Sequence, residues 1–130
     1  MSEEIARDRL GKLLSITAKK ELEALPRQLL PDEIVLNMVV GDFAQEKHKR
    51  GKGLLVLTDR RVIFLNSSGA FVKKISVEDF ALKHITSIRA DESTVYGELS
   101  ISTSGGGATL SKAQPKERAH EIAQHIRGLM

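Results

Sequence analysis

The chain contains no cysteine and no tryptophan, and only one tyrosine, four phenylalanines and three prolines in 130 residues. Without cysteine there are no disulfides, no Cys-ligated zinc and no thiol catalysis. No apolar run approaches the roughly 18 residues needed to span a bilayer. The first residues, Met1-Ser2-Glu3-Glu4, are acidic where a secretory signal is basic. The expectation is a cytoplasmic protein.

What is present is an ordinary globular composition, 41% hydrophobic and 28% charged, in a length that suits one domain with one core. The most informative stretch runs from Gly51 to Leu65. Leu54-Leu55-Val56-Leu57 is followed by Thr58-Asp59-Arg60-Arg61 and then by Val62-Ile63-Phe64-Leu65. Two apolar runs on either side of a short Asp-containing break predict a β-hairpin. Further strands are expected near 34–43, 70–76, 83–91, 95–103 and 107–112. Their separators are turn-forming residues, such as Asn66-Ser67-Ser68-Gly69 and Gly105-Gly106-Gly107. Short strands at regular spacing argue for a barrel or sandwich, not for alternating β-α units. Gly41 is a candidate bulge.

Helices are expected at both ends. Leu10, Leu13, Leu14, Ala18, Leu22 and Leu25 recur at helical spacing among charged residues, predicting an amphipathic helix over 1–25 that stops before Pro26. Residues 26–130 would form the β-rich remainder of one domain. Its last element starts at Pro115, with Ala119, Ile122, Ala123, Ile126 and Met130 on one stripe. Strands 54–57 and 62–65 are apolar on both faces, so a single interior cannot absorb all their side chains. Each large apolar side chain left wet forgoes about 1.5–3 kcal/mol. The end helices, or a second copy of the chain, must cover the outer face.

The strand, turn and strand from Leu54 to Leu65 resemble the signature of bacterial pleckstrin-homology-like domains of the YokE type. Leu29-Leu30-Pro31-Asp32-Glu33, Ile85-Thr86-Ser87-Ile88 and Tyr96-Gly97-Glu98-Leu99-Ser100-Ile101 follow in the same order. The resemblance implies a mainly β (α+β) fold, a seven-stranded, partly open β-barrel capped by the C-terminal helix. It also implies a binding role, since eukaryotic relatives bind phosphoinositides or protein segments.

Charge is lopsided. From Lys47 to Lys74 there are eight Lys/Arg against one acid, Asp59, a net of +7 in a chain whose total is +3. Such asymmetry suits an anionic partner. Lys47, Lys49, Arg50 and Lys52, around Gly51 in the expected first loop, are the candidate anion site, with Lys73 joining from a neighbouring strand. Phe64 and Phe71 are the only aromatics in this segment, which argues against nucleic acid. Asp59-Arg60-Arg61 reads as structural. The triple glycine lacks the Lys-Ser/Thr of a phosphate loop. The four histidines show no metal-ligand spacing, and His120 and His125 point about 140° apart on a helix. No nucleophile elbow or carboxylate pair suggests catalysis. The reading is a non-enzymatic binding module without cofactor or metal, acting through a protein partner or self-association. The alternative is an anionic lipid or phosphorylated ligand at the basic loop, at the inner face of the membrane.

Overall fold

The computed structural model describes residues 18–45, 48–68 and 74–129. A helix, α1 (Lys19–Gln28), precedes four strands, β1 (Val35–Gln45), β2 (His48–Thr58), β3 (Arg61–Ser68) and β4 (Lys74–Ala81). A 3-10 turn at Leu82–His84 leads to β5 (Ile85–Glu92), β6 (Gly97–Thr103), β7 (Gly106–Gln114) and the closing helix α2 (Lys116–Leu129). All strand pairs are antiparallel, in the order β4-β3-β2-β1-β7-β6-β5. The outermost strands, β4 and β5, do not pair, so the seven-stranded sheet stays open.

Alternation along the strands sorts the apolar residues onto two faces. Val39, Phe43, Leu55, Leu57, Val62 and Phe64 face inward and meet Ala119, Ile122, Ala123 and Ile126 of α2. Phe43 stacks on Phe64 with ring centroids 4.2 Å apart. Met38, Val40, Leu54, Val56, Ile63 and Leu65 face outward and are covered by Ala18, Leu22, Ala24 and Leu25. The surplus face of the central hairpin is therefore buried within the chain, by α1.

Four local expectations are corrected. Of the helix expected over 1–25, residues 1–17 lie outside the described residues, and the described helix does not stop before Pro26, which lies inside α1. Its missing N–H forfeits one backbone bond, while the buried Leu22 and Leu25 and a bond to the Gln28 carbonyl hold the last turn. The basic stretch is not a loop: His48 to Lys52 already belong to β2, with Ala44 opposite Lys49 and Asp42 opposite Lys52. Gly51 has a positive φ of 91°, and the register shifts beside it, leaving Arg50 as an extra residue. Of the strand expected at 70–76, residues 70–73 lie outside the described residues, and the described part continues from Lys74 to Ala81, paired along its length with β3 and tied to it by the Asp79–Arg61 ion pair. The irregularity at Gly41 exists, but the additional residue lies on β7, where Lys112 takes a left-handed φ of 52°.

Candidate binding surfaces

The β2–β3 turn is built around Thr58, which is fully buried. Its hydroxyl oxygen accepts from the Arg60 and Arg61 N–H groups at 3.1 and 3.0 Å. The hydroxyl donates to Glu33 Oε2 at 2.6 Å. The Asp59 side chain accepts from the Ile34 N–H at 2.9 Å. Arg61 forks onto Glu33, with Nε to Oε2 and Nη2 to Oε1 both at 2.8 Å. It also reaches Asp79 at 2.7 Å and the carbonyl of Gln28 at the end of α1. Glu33 further accepts from the Leu30 N–H at 3.0 Å.

Such a charge-assisted fork holds the Glu33 carboxyl well down, at about 2. The Arg61 hydrogen bond is the main cause; burial opposes it, and Thr58 and Leu30 add to it. The Arg61 guanidinium is pushed up by the same partners. This cluster clasps α1 and the β1 entry to the hairpin. Asp59 and Arg61 have structural partners here, whereas Arg60 joins only through its backbone; Glu33 was missed. Its partners lie 25 and 28 residues away, beyond any local sequence signal.

The described basic residues do not form a single surface. Arg60 and Arg61 sit at the β2–β3 turn, away from the β1–β2 end. Lys49, Arg50 and Lys52 are on β2, and Lys52 is exposed. Lys47 and Lys73 lie outside the described residues, as do the side chains of Lys49 and Arg50. Lys52 shares its strand face with Leu54 and Val56, toward the α1 side. Lys74 alternates with Ile75 and Val77, which pack on that same side, so Lys74 points to the other. Lys52 and Lys74 thus diverge. Asp42, opposite Lys52, tempers the charge there.

Concavities mark the described surface. One, of about 560 Å³, opens between Arg60, Phe80, His84 and Ser104, at the corner where the chain passes from β4 to β5. A second lies at the start of α2 beside Asn37, Arg118 and Glu121. A third is acidic, with Asp91, Glu92 and Glu98 around Tyr96 at the β5–β6 turn. Among the described residues no group of His, Asp and Glu could hold a metal ion. His84, His120 and His125 are exposed and separate. No helix among the described residues is long and apolar enough to cross a membrane.

An open antiparallel sheet of seven strands closed over by a C-terminal helix is the architecture of pleckstrin-homology-like domains. The family model of the bacterial PH domain matches residues 29–128, and the chain belongs to that family. Solved structures agree on the fold. The C-terminal domain of an unknown protein from Leishmania infantum superposes with a TM-score of 0.60 at 15% identity, over 81% of this chain and 96% of that one. A duf1696 family protein with a pleckstrin-homology domain from Shewanella loihica gives 0.58 at 20% identity, over 85% and 91%. A pleckstrin homology domain from Shewanella amazonensis gives 0.56 at 18%, over 92% and 99%. A search of curated proteins finds no match. The PH-like fold makes the chain a binding module in its architecture.

Proposed function

We propose that this is a non-catalytic PH-like module that binds an anionic partner, a lipid headgroup or a phosphorylated ligand, at the β1–β2 end of the sheet. One observation carries the reading. β2 and β4 run in the same direction and start at the same end of the sheet. Lys49, Arg50 and Lys52 are among the first residues of β2 and Lys74 opens β4, and Lys47 and Lys73 neighbour them in the sequence. The surplus apolar face that argued for self-association is satisfied by α1, which shifts the weight toward charge. Kinship with the YokE type rests on the Leu54–Leu65 hairpin. Binding of this sort is screened by salt. Sedimentation with anionic and neutral vesicles at low and physiological salt tests it. The expected result is salt-sensitive recovery with anionic vesicles that disappears when Lys47, Lys49, Arg50 and Lys52 are all changed to Ser. Binding that ignores salt, or survives those changes, rules the reading out.

A second reading, contact with a protein partner or another copy of the chain, is favoured by a different observation. Leu30 and Ile34 are 48% and 59% exposed on either side of Pro31, beside the clasp. Light scattering of the intact chain against Leu30→Ser/Ile34→Ser tests the self-association half. A concentration-dependent increase in mass that the variant lacks supports it, and a constant monomer mass removes it.

A further inference from the structure

The corner between β4 and β5 is fixed on both sides by backbone bonds. Leu82 N–H donates to the Arg60 carbonyl at 3.0 Å, and Ser104 N–H donates to the His84 carbonyl at 3.2 Å. Three segments far apart in sequence are thereby held around one cleft before any ligand arrives, which reduces the ordering cost of binding. Its volume of about 560 Å³ falls in the range of small-molecule sites. Phe80, half-buried and stacked near Phe43 with centroids 6.1 Å apart, supplies an apolar wall with Ala81.

The polar groups divide into committed and uncommitted. Arg61 is bound to Glu33 and Asp79. The Thr103 hydroxyl donates to the Gly106 carbonyl at 2.7 Å. Asp79, the acid in the wall, is neutralised by Arg61, and Asp59 is engaged by the Ile34 N–H. The side chains of Arg60, His84 and Ser104 are exposed and make no hydrogen bond or ion pair among the described residues. Three uncommitted donors therefore stand beside an aromatic wall, one of them a permanent cation whose planar fork suits carboxylate or phosphate.

We propose that this cleft is a second binding site, for an amphiphilic anion. Arg60 and His84 hold its phosphate or carboxylate, Ser104 donates to it, and its apolar portion lies on Phe80. The site is independent of the basic β1–β2 end, and no residue is shared between them. The free acid and the lipid headgroup present the same chemistry, and the test separates them.

Isotope-labelled protein titrated with octyl phosphate, inorganic phosphate and octanol gives the readout by NMR. Octyl phosphate should move the Arg60 Nε–H, His84, Ser104 and Gly105 signals and bind at least about tenfold tighter than inorganic phosphate, since each buried methylene contributes about fourfold. Arg60→Gln/His84→Gln, both surface changes, should weaken it about tenfold or more while the rest of the spectrum superimposes. The variant with Lys47, Lys49, Arg50 and Lys52 changed to Ser should bind octyl phosphate unchanged. Shifts confined to the β1–β2 hairpin, no shifts, or equal affinity in Arg60→Gln/His84→Gln would each overturn the site. Sedimentation of Arg60→Gln/His84→Gln with anionic vesicles then assigns the source. Loss of vesicle binding identifies a lipid headgroup, and retained vesicle binding beside lost octyl phosphate binding identifies a soluble acid.

Discussion

Glu33 shows how a residue that looks like loop filler in the sequence can become the most constrained carboxylate in the fold. In Leu30-Pro31-Asp32-Glu33 nothing local marks it, whereas Thr58-Asp59-Arg60-Arg61 is legible as a turn from its residue types alone. The physical reason is distance along the chain: a buried ion pair is specified by tertiary packing, which periodicity does not encode. Its acid dependence follows with a definite sign. Folded, the carboxyl titrates at about 2; unfolded, at its ordinary 4.5. Between these values the unfolded chain binds the extra proton, so stability is full above about pH 4.5 and drains away as pH falls toward 2. The buried group's share is about 2–3 kcal/mol. Urea unfolding at pH 6, 4 and 2.5 should show this loss in the parent and a flatter profile in Glu33→Gln. At pH 6 that variant should be less stable by about 3 kcal/mol, because Arg61 keeps its charge and loses the buried carboxylate it forks onto, with only the exposed Asp79 left as a counter-ion. Matching stabilities at pH 6 would mean that the clasp contributes nothing.

Among the elements, those with strong periodicity were readable. The central hairpin, the β-rich middle and the C-terminal helix all follow from alternating or helical spacing. Boundaries were not, where a single residue breaks the rule and the packing overrides it. Pro26 reads as a stop yet sits within α1, and the strand expected to end near 76 continues to Ala81. Gly97 is the converse, a residue whose meaning appears only once α2 is in place. A Cβ there would stand 2.7 Å from the Lys116 carbonyl oxygen and 2.9 Å from Ala119 Cβ. Gly97→Ala must lift the start of α2 off β6, at a cost of about 1–3 kcal/mol. Thermal unfolding should register that drop, while Gly128→Ala, where nothing lies within 4 Å, should leave the midpoint unchanged or raise it. Equal behaviour of the two variants would show that α2 is not held by this close approach. The candidate anion site was legible only as charge. Assigning residues 48–52 to a loop hid the alternation that turns Lys52 and Lys74 to opposite sides.

For the whole molecule, the decisive feature is a sheet with two apolar faces and a separate helix for each. The inward face is sealed by α2 and the outward face by α1, whose Leu22 and Leu25 have no exposed surface. The family match begins at residue 29, after the last residue of α1, so the outer cover lies outside the matched span. If that cover is what keeps Leu54, Val56, Ile63 and Leu65 from water, weakening it should produce association and not merely loss of stability. Truncating two buried leucines removes about 2–5 kcal/mol each when the site cannot collapse. The helix, whose last turn is also tied through the Gln28 carbonyl to Arg61, would then part from the sheet. The barrel side, with its own core and its own helix, would remain folded. Leu22→Ser/Leu25→Ser should therefore keep its β-sheet circular dichroism while its mass by light scattering rises with concentration above that of the parent. Leu30→Ser, at an exposed position on the same segment, should not show that rise. Should the double variant unfold entirely, α1 is an integral wall of the core; should it stay folded with the parent's mass, the outer face has some other cover.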